Sequence, residues 1–211
     1  MAERRESSDV SIREFLAALS SAEAAHSAVS ASAVAGGLGT SLLLMVAALP
    51  KTRSDSATDR MALISASAAL SSLLEQLLET IETETVVKLY AARNMPQGNA
   101  TQRTEREAAI QLALRAAADV PLEVMRVCRL GLQEARTVAT HCSRAAGAEV
   151  ELGVTLLRAG LSGARSNLEA RLSSLTDVVY TTAIVEEIAR LNEEGMTAAN
   201  AAEASVRVPP A

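Results

Sequence analysis

Aromatic side chains are almost missing: one Phe, two Tyr and no Trp in 211 residues. A core without rings must be filled by Leu, Ile, Val, Met and Ala, and Ala and Leu are the strongest apolar helix formers. The same absence removes the stacking platforms on which bases sit in nucleic-acid binders. Ten Gly and five Pro are too few to punctuate the turns of an all-β fold. The two cysteines, Cys128 and Cys142, have neither metal-ligand nor redox spacing, so they read as reduced thiols in a chain too large to need a disulfide framework. Charge of one sign is nowhere concentrated. The net charge is −5 from 20 Lys+Arg and 25 Asp+Glu, interspersed, which argues against a basic nucleic-acid surface. No His/Asp/Glu grouping has convincing metal spacing, and no catalytic triad, phosphate loop or dinucleotide fingerprint is present. The opening "MAERRESSDV" is too charged for a signal peptide.

What is there is helical patterning. Ser11 can cap a first helix, "SIREFLAALS", with Glu14 completing a capping box and Val10 and Phe15 at the staple positions. From Ser27 to Leu49 the chain has no charge. Its first half is Ser, Ala and Gly, too weakly hydrophobic for a bilayer span, so a helix buried on all sides is expected. After the polar loop "KTRSDSATD", the spacing predicts a long helix over 59–95, striped by Leu70, Leu74, Leu77, Leu78, Ile81 and Leu89. The segment "MPQGNATQ" reads as a loop. A helix over 104–142 follows, kinked or split in two at Pro121. Helices over 148–175 and 177–195 close the fold. The expectation is a single all-α domain with a core over about 11–195 and a flexible tail over about 196–211.

In this order the elements resemble the cyclodeaminase/cyclohydrolase family, which includes the cyclodeaminase domain of formiminotransferase-cyclodeaminase and bacterial methenyltetrahydrofolate cyclohydrolases. The resemblance runs from about Ser11 to about Gly195. It is carried by "SIREFLAALSS", "AGGLGTSLLLMVAAL", "REAAIQLALRAAADVPLEVMRVCR" and "LGVTLLRAGLSGARSNL". It implies a close-packed helical homodimer with folate bound near the subunit boundary.

The resemblance also assigns positions. A family pattern like Pro-x-Pro-Gly-Gly-Gly-Ser falls on "AAHSAVS", so Ser30 is kept while His26, Ser27, Ala28 and Val29 replace Pro and three Gly. A family Asp falls on Glu82, and a basic Gly-Lys-Lys loop on "PKTRSD", where Lys51 or Arg53 stands in. A Gly-Asn-x-Asn-x-x-Ser-Asp pattern falls on "RAAGAEVE", leaving Glu151, and an Asn-x-x-x-Asn pair has become Asn167 and Arg171. Arg106 keeps a family-like position.

On the helical wheel Glu82 falls inside an apolar arc between Leu78, Leu89 and Val86. A desolvated carboxylic acid there has the raised pKa that suits acid/base work. His26, at a loop–helix junction, titrates in the physiological range. Glu151 shares its face with Thr155, Arg158, Ser162 and Arg165 and also suits an exposed ion-paired face; Glu149 has no better claim. His141 suits a helix C-terminus.

The expected catalytic groups are Glu82, His26 and Glu151, and the expected ligand-binding groups Ser30, Lys51, Arg53, Arg106 and Asn167, with no metal. The scaffold signals are kept while most polar site signals are not. The leading expectation is therefore a cytoplasmic enzyme diverged toward cyclisation or ring opening at a C–N bond of a non-folate small molecule, in specialised-metabolite biosynthesis, without a cofactor. A true folate enzyme, binding a tetrahydrofolate derivative, and a non-catalytic scaffold dimer are the alternatives. Neither nucleic acid nor membrane is expected as a partner.

Overall fold

A computed structural model describes residues 11–20, 28–81 and 90–207 of the chain. Helix α1 (Ile12–Leu19) begins at the expected capping box. The Ser11 hydroxyl accepts the Glu14 backbone N–H at 3.2 Å, and the Glu14 carboxylate accepts the Ser11 N–H at 2.9 Å. Then come α2 (Ala28–Ala47), α3 (Ala57–Ile81), α4 (Ala100–His141), α5 (Gly147–Leu172) and α6 (Val178–Arg207), with a 3-10 turn at Arg144–Ala146. Among the described residues the only β pairing is an isolated bridge between Thr52 and Cys142. The chain is all-α, as its composition requires.

The small residues of α2 are used against α5. The two run antiparallel and so close that a methyl at Gly39 would lie 2.6 Å from the Gly153 carbonyl oxygen, and one at Gly160 would lie 2.8 Å from the Ser32 carbonyl. Only a residue without Cβ fits these crossings. By length and composition α2 and α3 would each suit a bilayer, but more than half of α2 is buried within the chain. Around the seam, Leu43, Leu77, Met125, Leu157 and Leu161 are fully buried, with Cys128 among them. Van der Waals contact at native density, with no ring in it, is what holds this core.

Of the long helix expected over 59–95, Ala57–Ile81 and the stretch from Tyr90 are helical, with residues 82–89 outside those described. Two other elements extend the sequence reading. Helix α6 continues past Gly195 to Arg207 because Ala198, Ala199 and Ala202 are buried. Helix α4 runs through Pro121 without splitting in two, 42 residues in all. Proline has no N–H for the carbonyl four residues back, which is that of Ala117. The orphaned oxygen is taken by Arg171 of α5, whose Nη1 donates to it at 3.2 Å while its Nε donates to Asn167 Oδ1 at 2.7 Å.

This arrangement predicts a coupling. Arg171→Met is expected to cost about 1–3 kcal/mol, the penalty of an unsatisfied buried carbonyl. In a Pro121→Ala background, where residue 121 supplies its own N–H, the same change is expected to cost less than half as much. Denaturant unfolding of the two single variants and the double variant measures the difference.

Candidate functional site

The connection from α2 to α3 is fastened to the end of α4. The Arg53 N–H donates to the His141 carbonyl at 2.7 Å, its Nε to the Cys142 carbonyl at 3.1 Å, and its Nη2 to the carbonyls of Ala139 and Ser205. The last carbonyls of a helix have no intrahelical partner, and arginine is suited to satisfy them. Arg53 thus closes α4 and spends its donors on backbone oxygens.

Beside it, buried Asp59 accepts the Ser54 N–H and hydroxyl, each at 2.7 Å, and lies 2.8 Å from His141 Nδ1. The imidazole hydrogen bond, then those of Ser54, hold the Asp59 carboxyl well below the usual carboxylate range. Asp59 in the first turn of α3 and His141 in the last turn of α4 also match the helix dipoles. His141 therefore has the structural role expected of it.

With the connection fixed, Lys51 is held at the mouth of a cleft of about 450 Å³. Its walls are Met45 and Leu49 from α2, Pro50, Ser143, Ala145 and Ala146, with Glu149 from the first turn of α5. This volume lies in the range of small-molecule sites. The wall is mostly apolar, yet it carries one cation and one carboxylate. Glu149 Oε2 is buried and has no hydrogen-bond partner. Thr52 Oγ1, Arg129 Nε and Arg158 Nε share that state, but both arginines are ion-paired, with Glu194 and Glu203. Glu149 is the one carboxylate in this condition among the described residues. Burial also pushes the neighbouring Cys142 thiol up from its ordinary pKa.

The expected site residues fall at two ends of the α2–α5 pair. Lys51 is in the cleft and Arg53 lies behind it. Glu151 is near the cleft in sequence but turned away, accepting from Arg207 Nε at 3.2 Å. Ser30 is buried in the first turn of α2, at the other end, about 26 Å along the helix from Ala47. Asn167 belongs to that end too, since Gly163 meets Ser32 there, and it positions Arg171. Arg106 donates twice to the Arg93 carbonyl, at 3.1 and 2.9 Å. His26 and Glu82 lie outside the described residues.

Glu149 is the group that sequence reasoning passed over. Two residues from Glu151, it takes a different helix face, and only the start of α5 at Gly147 sets it in the first turn facing Lys51. A second, larger groove of about 710 Å³ runs between α4 and α6, lined by Glu134, Thr137, His141, Glu193 and Glu194 among others. Burial raises the pKa of Glu134 in it. Among the described residues no cluster of three or more His, Cys, Asp or Glu could hold a metal ion.

Comparison with known proteins converges on one family. A family model described as formiminotransferase-cyclodeaminase matches residues 11–190. The methenyltetrahydrofolate cyclohydrolase of Methylorubrum extorquens is 27% identical over 186 residues, covering 87% of this chain and 89% of that protein. The crystal structure of formiminotetrahydrofolate cyclodeaminase from Thermotoga maritima superposes with a TM-score of 0.83 at 16% identity, over 94% of this chain and 96% of that one. The helical order, the glycine seam and a match over most of the length agree: the chain belongs to the formiminotransferase-cyclodeaminase family.

Proposed function

We propose that this protein opens or closes a ring at an amidine- or iminium-type carbon of a one-carbon-bearing tetrahydrofolate, with Glu149 carrying the proton and Lys51 holding the anionic part of the ligand. The observation that carries the reading is Glu149 Oε2, a buried carboxylate oxygen without a partner on the wall of an apolar cleft. An unpartnered carboxylate oxygen on that wall is placed to meet a cationic C–N centre entering the cleft. In the hydrolytic direction the oxygen of water bonds to the carbon while Glu149 takes a proton. The proton then passes to the ring nitrogen as the C–N bond breaks, and the remaining hydroxyl proton is released to water as the carbonyl forms; Glu149 is general base and then general acid.

The cyclohydrolase relative, aligned over nearly its whole length, favours a folate over the non-folate substrate that the altered glycine loop suggests. The expected setting in specialised metabolism gains no support from it. Glu82, by the resemblance and its place in an apolar arc, and His26, by its place at a loop–helix junction, remain candidates on the sequence alone.

The reading includes a homodimer. The outward face of α2 carries no charge and exposes Leu38 by 51% and Met45 by 47%. An apolar stripe on a helix calls for a partner. A two-fold pairing of this face with itself, the α2 helices antiparallel, sets the Ser30–Asn167 end of one copy against the Lys51–Glu149 end of the other.

The test is a thermal-shift titration with a methenyl- or formyl-tetrahydrofolate, wild type beside Lys51→Met. A saturable rise is expected, reaching about 5–10 °C at a hundredfold excess over Kd, with the midpoint moved to higher concentration in the variant. No rise at concentrations far above micromolar would remove folate from the reading.

A further inference from the structure

The connection between α2 and α3 carries a further cavity of about 360 Å³, lined by Pro50, Thr52, Asp55, Ser56, Ala57 and Arg60. Pro50 also lines the Lys51–Glu149 cleft, so the two cavities adjoin at that residue. The volume lies at the low end of small-molecule sites. Where the cleft is mostly apolar, this wall is mostly polar.

Several of its groups are left over. Thr52 is the one buried residue among those lining it, 7% exposed, and its Oγ1 has no hydrogen-bond partner. A buried hydroxyl is a donor that calls for an acceptor. Arg60 spends Nη2 on the Pro50 carbonyl and keeps the rest of its donor fork. Asp55 accepts the Thr52 N–H at 3.3 Å through Oδ1 alone. Arg60 and Asp55 face one cavity, yet they are not ion-paired with each other. The start of α3 opens there too. The Ser56 hydroxyl takes the Asp59 N–H at 3.1 Å, and the N–H groups of Ala57 and Thr58 have no acceptor among the described residues.

A guanidinium, a hydroxyl proton and a helix N-terminus suit a carboxylate. Asp55 beside them suits an N–H. An N-acyl amino acid carries both on a single carbon. The tetrahydrofolate of the reading above, on which this inference rests, ends in one, because a benzoyl group joins its ring system to glutamate.

We infer that this pocket is a subsite for the glutamyl tail. Arg60, the Thr52 hydroxyl and the first turn of α3 hold the α-carboxylate, and the tail's amide N–H donates to Asp55. The side-chain carboxylate is left for Lys51, next to Pro50 at the mouth of the cleft. The ring system then lies in the cleft, with its reacting carbon at Glu149.

The test compares two substrates in three proteins. One is methenyltetrahydrofolate; the other is the corresponding tetrahydropteroate, which ends at the benzoate and lacks glutamate. In the wild type, loss of the tail is expected to raise KM about a hundredfold. In Arg60→Met that ratio is expected to narrow by about tenfold, the worth of a hydrogen bond to a charged group. Thr52→Val removes no hydrogen bond from the fold. It is expected to narrow the ratio about threefold or more, with the melting temperature unchanged or higher. An Arg60 that only steadies the Pro50 carbonyl raises KM for both substrates alike and keeps their ratio, which overturns the subsite. A wild type indifferent to the tail overturns it as well.

Calorimetric titration with 4-aminobenzoylglutamate, the tail alone, keeps this failure apart from that of the reading beneath it. A wild type that turns over neither substrate removes the folate reading. Tail binding that weakens about tenfold in Arg60→Met still supports the pocket, whereas binding that is absent, or that neither substitution changes, overturns it.

Discussion

Gly39→Ala should lower the melting temperature by about 5–10 °C, whereas Gly37→Ala, two residues away on the same helix, should leave it unchanged or raise it by about 1–3 °C. Both changes gain the roughly 0.5–1 kcal/mol that alanine holds over glycine inside a helix. They differ in what the new methyl meets. At Gly37 the nearest atom is Leu74 Cδ1 at 3.6 Å, an ordinary contact. At Gly39 the methyl would meet the Gly153 carbonyl oxygen at 2.6 Å and the Leu157 nitrogen at 3.0 Å. Both are backbone atoms of a helix and cannot swing aside. Helix α2 must lift from α5 and loosen Leu43 and Leu157, and overpacking of this kind costs about 1–3 kcal/mol or more. At about 2–4 °C per kcal/mol for a chain of this size, the clash outweighs the propensity. Scanning calorimetry on the two variants decides it, and a Gly39→Ala protein that melts with the wild type would mean the seam is looser than its geometry.

Glu149→Gln should reduce kcat for ring opening of methenyltetrahydrofolate by about a hundredfold or more while moving the melting temperature by only a few degrees. A positioned acid/base group contributes about 10²–10⁴ in rate, and an amide of the same shape keeps the contacts while losing the proton chemistry. The fold loses no hydrogen bond at Oε2, which has no partner there. Glu151→Gln is the control. Its exposed pairing with Arg207 belongs to a class worth about 0–1 kcal/mol, so activity and stability should both stay close to wild type. Steady-state rates on the three proteins separate the cases. A normal kcat for Glu149→Gln would take Glu149 out of the reaction and leave it as a wall of the cleft.

The fold was legible where local chemistry dictates it. Ser11 and Glu14 announce α1, and a chain so short of rings, Gly and Pro had to be helical. Asn99 and Gln102 form the same reciprocal cap on α4, and "MPQGNATQ", read only as a loop, held that signal. Pro121 was read by its intrinsic penalty, but a residue fifty positions along the chain, Arg171, supplies the missing donor. No window of sequence contains both. The site was less legible for the same reason. Arg53 and Lys51 look alike as loop cations until the end of α4 claims one of them. Glu149 and Glu151 look alike as helix carboxylates until Arg207 claims the other. Which polar groups are left over is decided by tertiary pairing, and leftover groups are where chemistry begins.

The glycine seam also acts as a ruler. Contacts between backbones, Gly39 to Gly153 and Ser32 to Gly160, admit one register. Sliding α2 past α5 by a single turn would shift it about 5.4 Å and drive Cβ atoms into carbonyls all along the crossing. The span between the Ser30–Asn167 end and the Lys51–Glu149 end is therefore a fixed length. No hinge inside one copy can shorten it. In the homodimer proposed above, a substrate touched by both ends is shared between two copies, and the concentration of the protein, as much as its sequence, then determines whether a working site exists.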